Sequence, residues 1–320
     1  MNLQEIINLT RKRLGDDRGI DSKRLWQDWE IVAYANDAER EIARELELLK
    51  DSDTIGYLSL SGTTGQIDSV SVSTVVITSA AVVYATSPTV TAANLADNIN
   101  AHTSTPNYRA VPRGTLVIIK AVPQTGYPIG GYSLAVTASA GMTAITTNLP
   151  GLCRHVVSIG QRFLTLDEKV IRITRFKPSG QTRPLPDFTK DDMDASYPGW
   201  EENENGTIKC FIPDYYKNEI VIYPPSKTIE LIDQDVIRLP LVDLSEANLS
   251  ALPEIGTRHH ETMVEGIMRV AYRKNDVETL DLARSQTHEV EFNRRNEDWK
   301  RQALRRASDQ QVNRIPAGFM

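Results

Sequence analysis

Cysteine is almost missing from this sequence. Two occur in 320 residues, Cys153 and Cys210, 57 positions apart. Neither has a second pair of ligands nearby, which argues against a zinc site or a disulfide framework, so both are expected as buried free thiols. Long apolar runs are missing as well. None approaches the ~20 residues that a bilayer-spanning helix needs. The first residues, Met1-Asn2-Leu3-Gln4-Glu5, lack the basic-then-apolar order of a secretion signal. No membrane partner is expected, and folding and assembly are expected in the cytoplasm. A strong charge of either sign is absent too. The net charge of −6 argues against a protein that neutralises many nucleic-acid phosphates.

Chemistry-bearing motifs are equally scarce. His259 and His260 are adjacent, so on a helix they point about 100° apart and cannot share one metal ion. One is expected to face the core and the other solvent. Asp191, Asp192 and Asp194 lack the central glycine and closing glutamate of a calcium loop. Gly130-Gly131 has no following Lys-Ser/Thr to cradle phosphate, and Ser158-Ile159-Gly160 is not a nucleophile elbow. These absences point away from an enzyme. No catalytic residue, cofactor or metal is expected.

What the sequence does hold changes along its length. Leu3, Ile6, Ile7, Thr10 and Leu14 recur at helical spacing before Gly15. Leu25, Trp29, Val32, Ala35, Ala38, Ile42, Leu46 and Leu49 trace the apolar stripe of a longer helix. Between Gly62 and Pro150 only Asp68, Asp97, Arg109, Arg113 and Lys120 are charged, where average composition would give roughly 21. Short Val/Thr/Ser/Ala strands fill this stretch, with one helix from Thr91 to about His102. Charge returns after Pro150 with strand candidates at 156–166, 170–176, 208–213, 219–223 and 236–239. An acidic stretch within 184–206 holds Asp187, Asp191, Asp192, Asp194, Glu201, Glu202 and Glu204 against one Lys190. It reads as a solvated loop anchored by Phe188, Tyr197 and Trp200.

A final helical block begins after Pro253 and Gly256. His260, Met263, Val264, Ile267, Met268, Ala271 and Tyr272 share one face. After a break near Asn275-Asp276, a second helix is expected from Val277 to about Ala307, and Ser308–Met320 is expected to be disordered alone. This last helix is polar, which suits packing against something outside the chain.

The expected fold is α+β: N-terminal helices and a C-terminal helical hairpin with a small β region, plus an inserted β-rich domain carrying one helix. The expected boundaries are a discontinuous body, 1–61 and 151–307, an insert, 62–150, and an arm, 308–320. The strand at 55–60 and the one at 156–166 are expected to belong together in the β part of the body.

Three stretches, LWQDWEIVAYANDAEREIARELELL (residues 25–49), YYKNEIVIYPPS (215–226) and LPEIGTRHHETMVEGIMRVAYRKNDVETLDLA (252–283), resemble head-to-tail adaptor proteins of short-tailed and related phages, of the tail tubular protein A type. Two more, SPTVTAANLADNINAHTSTPNYRAV and YSLAVTASAGMTAITTNLPG, are similar to a small β domain inserted in phage tail and connector proteins. The resemblance implies a neck protein of the virion. It would form a ring, usually of twelve copies, beneath the portal protein, with a tail nozzle or tail tube protein as its next partner and double-stranded DNA passing through without specific binding. Alternatives are a tail-tube or nozzle component and a carbohydrate-binding tail module, for which Tyr84, Tyr108, Tyr127 and Tyr132 would be the stacking residues.

Two groups of residues carry the site expectations. From Arg294 onward seven basic residues face three acidic ones, a net of +4 that leaves −10 for the rest. Arg294, Arg295, Arg301, Arg305, Arg306 and Arg314, with the apolar Ile315, Pro316 and Phe319, are expected to dock on the portal. Asp191, Asp192, Asp194, Glu201 and Glu202 are expected to form an acidic surface, a candidate channel lining that discourages sticking to DNA phosphates.

Overall fold

The computed structural model describes residues 1–16, 24–123, 125, 131–179, 181–202, 204–276 and 278–312, the last seven as backbone only. The chain divides into two compact units: Met1–Leu49 with Leu239–Met320, and Lys50–Arg238. Its elements make an α+β fold.

The first helix, α1 (Leu3–Leu14), is closed at its start by a reciprocal Asn2/Glu5 capping box and at its end by Gly15 in the left-handed region (φ 69°). It buries Leu3, Ile6, Ile7, Thr10 and Leu14, the face its spacing predicts. Helix α2 (Asp28–Leu46) starts later than its stripe suggests. Leu25 and Trp26 lie before it, and Trp29, expected on the stripe, is 62% exposed in the first turn. Trp26 takes the core position instead. Its indole Nε1 donates to the Ala271 carbonyl at 3.0 Å, and its ring meets Tyr272 edge-on.

Unit 2 opens with β1 (Lys50–Asp51) and β2 (Thr54–Gly62), followed by β3 (Gln66–Val72), β4 (Val75–Val76) and β5 (Val82–Val83). Ser73, at φ 53°, turns the chain between β3 and β4. Helix α3 (Pro88–Ala101) starts three residues earlier than expected. Ser87 caps it with Pro88 in the first turn, and Thr91 is buried rather than capping. Strands β6 (Tyr108–Arg113), β7 (Leu116–Ala121), β8 (Leu134–Ala138) and β9 (Met142–Asn148) complete the region. One antiparallel sheet runs β6-β7-β2-β9, and in another β3 pairs with β4, β5 and β8. Leu58, Leu60, Val70, Leu95, Ile99, Val117 and Ile119 fill one core between these sheets and α3.

β2 therefore belongs to this low-charge region. It pairs with β7 and β9 along its length, not with the strands after residue 154, as the sequence had suggested. Gly56 shows how close the pairing is: a Cβ there would lie 2.5 Å from the Thr147 carbonyl oxygen. The expected strand at 156–166 is two strands, β10 (Arg154–Val157) and β11 (Phe163–Thr165), followed by β12 (Val170–Pro178). After α4 (Lys190–Ser196) come β13 (Cys210–Tyr216), β14 (Glu219–Tyr223) and β15 (Glu230–Arg238). β15 pairs with β1, β10 and β12, whereas β14 pairs with β11 and β13. Phe176 stacks on Phe211 at 4.5 Å within a second core.

At the start of unit 2 sits a buried charge cluster. Asp51, with a side chain 1% exposed, accepts from Arg238 Nε (2.8 Å), Lys120 Nζ (3.3 Å) and Thr54 Oγ1. Lys120 also meets Asp53 at 3.0 Å, and Arg109 pairs with Asp53. Burial alone would raise the Asp51 carboxyl, but the Arg238 and Lys120 charges and the bonds from Arg238 and Thr54 outweigh it and hold it well below the usual range.

The chain returns to unit 1 at Leu239, and a short 3-10 turn, Thr257–His259, leads into α5 (His260–Ala271), which α6 (Leu282–Val312) follows. α6 starts later than expected and continues through 308–312, where disorder was expected, since no glycine or proline interrupts those residues. Every residue of the expected α5 face is buried. At Gly266 three helices converge. A Cβ there would lie 2.9 Å from the Ala38 Cβ and 3.0 Å from Phe292, so only glycine lets α2, α5 and α6 approach this closely.

Candidate docking surface

The site residues of the C-terminal helix separate into two sets once their neighbours are known. Toward α5, Ser285 donates to the Arg269 carbonyl (2.7 Å), His288 meets Glu265 (2.8 Å) and Phe292 is fully buried beneath the Arg269 guanidinium. Arg295 reaches Glu261 on α5 at 2.9 Å and Glu291 at 2.8 Å. Arg294, on the outer side, lies between Glu291 (2.7 Å) and Asp298 (2.9 Å). Hydrogen bonds from Arg294 and Arg295 hold the Glu291 carboxyl down at about 2. Both guanidiniums are thus already paired within the chain. Arg301 is exposed and has no ion pair with a described residue, and Arg305 is exposed. The Arg306 side chain, Arg314, Ile315, Pro316 and Phe319 lie outside the described residues.

Beyond Asn296, α6 borders a groove of about 350 Å³ in unit 1, walled by Leu46, Leu48, Trp299, Ala303 and Leu304 with His259 at its base. Leu304 is 70% exposed. Trp299 is fixed from two directions, by the His259 ring edge-on at 4.7 Å and by the Arg258 guanidinium 5.6 Å above it. Arg258 Nε donates to His259 Nε2 at 3.0 Å. Burial, reinforced by the Arg258 and His260 charges, pushes the His259 ring down to about 4. The sequence had placed one of the adjacent histidines in solvent, but both are buried, at 2% and 1%. His259 sits in the 3-10 turn rather than on the helix, so the 100° rule does not separate the two. The groove was hidden from sequence reasoning because its walls come from the end of α2, that turn and α6.

The acidic stretch is ordered by more than its aromatic anchors. Thr189 and Asp192 form a capping box that starts α4, which spacing had not revealed in so short a segment. Met193 and Trp200 are buried with Cys210, Ile212, Val221 and Tyr223, and Phe188 and Tyr197 pack against them. Asp191, Asp192, Asp194, Glu201 and Glu202 are all exposed. Asp194 nonetheless accepts from Trp200 Nε1 (2.8 Å), and Glu201 from the Tyr215 hydroxyl (3.4 Å).

Among the described residues, no three His, Cys, Asp or Glu side chains converge on a possible metal ion, and no helix is long and apolar enough to cross a membrane. Cys153 and Cys210 are buried free thiols, and burial pushes Cys210 up to about 11. Tyr108 is buried, and Tyr84 and Tyr132 are half-buried, packed against the core of the low-charge region. Tyr127 lies outside the described residues.

A family model described as SU10 adaptor protein matches residues 1–154. The match supports a phage adaptor family. It covers α1, α2 and the low-charge strands, and it stops at the first residue of β10. No curated protein matches the chain.

Proposed function

We propose that this chain is a structural head-to-tail adaptor of a phage virion. In this reading it assembles as a ring, of twelve copies by the resemblance of its sequence, beneath the portal protein. It continues the DNA channel and presents a surface to a tail nozzle or tail tube protein. The observation that carries the reading is the adaptor match over residues 1–154. The exposed arginines near the end of α6, Arg301 and Arg305, support it.

Portal docking falls to the end of α6 and the residues after it. Arg294 and Arg295 already hold carboxylates of their own chain, so pairing with a portal acid would first break those contacts. In this reading Arg301, Arg305, Arg306 and Arg314 supply the guanidinium forks, and Ile315, Pro316 and Phe319 the apolar anchors. Asp191, Asp192, Asp194, Glu201 and Glu202 are the candidate acidic lining of the channel.

Negative-stain imaging of the full chain, and of a chain truncated after Ala307, each mixed with portal rings, tests this. The full chain is expected to decorate portal rings and the truncated chain to lose attachment while still unfolding cooperatively. Equal decoration by both would move docking to another surface. No decoration by the full chain, but binding once an adaptor is supplied, would favour a nozzle.

A further inference from the structure

The groove beside Trp299 has chemistry that the ion pairs of α6 do not use. Its volume of about 350 Å³ would hold about a dozen waters at their liquid density. Against Leu46, Leu48, Trp299 and Leu304 those waters have few hydrogen-bond partners, so an apolar occupant displaces them favourably.

The chain carries a segment of matching chemistry within reach. α6 ends at Val312, about 12 Å along the helix from Leu304 at 1.5 Å per residue. Phe319 follows Val312 by seven residues, enough to span at most ~25 Å when extended. Pro316-Ala317-Gly318, between Ile315 and Phe319, has the composition of a turn. The segment's charge is Arg314 alone, and the groove rim carries both signs, with Glu45 and Glu47 beside Arg258 and Lys300. No like-charge barrier opposes its approach.

We propose that this groove is the docking site of the chain's own segment from Ile315 to Phe319, folded back along α6. The apolar anchors are then covered in the isolated chain, and a partner that takes them must first draw them out. The docking itself does not depend on the adaptor reading, because it concerns the isolated chain.

A disulfide-rate experiment on the full chain tests it. Cys153 and Cys210 are buried at 0% and 1% and stay out of the reaction. The pair Ala303→Cys with Ala317→Cys places one thiol in the groove wall and one in the segment, leaving Ile315 and Phe319 intact. Arg301→Cys with Ala317→Cys is the control, since position 301 lies about 200° around the helix from 303. The first pair is expected to form a monomeric disulfide at least tenfold faster than the control, and Phe319→Asp is expected to erase that advantage. Equal rates overturn the proposal. A product that is mainly dimeric also overturns it, assigning the groove to the segment of a second copy.

Discussion

Unit 1 and the low-charge region of unit 2 solve the same packing problem with different means. The helices of unit 1 share an apolar core and are also laced by ion pairs across elements: Arg13 to Glu265, Arg269 to Glu41, Lys274 to Glu30, Arg295 to Glu261 and Lys300 to Glu45. A helix satisfies its own backbone, so its orientation against a neighbour rests on side chains alone. In the region from Thr54 to Asn148 the backbone ladders themselves join the elements, and charge has little left to specify. Two of its few charged residues, Arg109 and Lys120, gather at one end on Asp53 and Asp51. Charge density thus follows the kind of joint each architecture needs.

The largest effect that would break this comparison is excision. Leu149 donates its backbone N–H to the Ile55 carbonyl at 3.1 Å, so the two ends of the low-charge region are adjacent. Replacing 54–149 with a short Gly/Ser linker is expected to leave a cooperatively folding remainder, because closing a short loop costs little. Replacing 62–150 is expected to fail, since it strands most of β2 without β7 and β9 as partners. Differential scanning calorimetry of the two deletions decides, and equal cooperativity would show that β2 does not define the boundary.

How much of this was legible in the sequence depended on range. Periodicity placed the buried faces of α1 and α5 residue by residue, because an amphipathic helix writes its orientation into 3.6-residue spacing. The low-charge region was visible from composition alone. The partner of β2 was not, because alternation says which side chains turn inward but not which strand, 60 or 90 residues away, supplies the ladder. Trp26 and Trp29 show the same limit at short range. The stripe favoured Trp29, but the helix begins at Asp28, and the indole hydrogen bond to Ala271 selects Trp26. Of the docking expectation, the basic end of α6 was readable, whereas the groove beside Trp299 depends on three segments meeting.

A core substitution in each region gives an intermediate effect. Phe292→Ala removes the fully buried ring beneath Arg269 and is expected to cost about 3–5 kcal/mol, seen as a lower urea midpoint with a red-shifted tryptophan emission. Leu95→Ala in the low-charge core is expected to cost about 2–5 kcal/mol while leaving that tryptophan signal unchanged at low urea. If both variants shift the tryptophan midpoint alike, the two regions unfold as one cooperative body.

The smallest effect is a titration. His259 is held neutral by burial with a folded value of about 4, below the ~6.5 of an unfolded histidine. The unfolded chain therefore binds this proton more readily, and the stability that neutrality contributes is present above ~6.5 and is lost as pH falls toward 4. His259→Phe is expected to flatten the thermal-midpoint profile between those values. An unchanged slope would assign the acid loss to other groups, His155 in unit 2 being the next, since burial pushes it down to about 4 as well.

The pairing of β1 with β15, Lys50 opposite Ile237 and Asp51 opposite Val236, has a mechanical consequence. The chain passes into unit 2 and out of it on neighbouring antiparallel strands, so both covalent connections lie at the same end of one ladder. A pull on unit 2 through its connections loads the two strands together and in the same direction, and neither is peeled from the other. The tension reaches Asp51, Arg238 and Lys120 first, and through Lys120 it passes into β7. Asp51 and Arg238 move together under this load, so the bond strained first is the one from Lys120 to Asp51, and the hydrogen bonds of the sheets behind it are reached only afterwards.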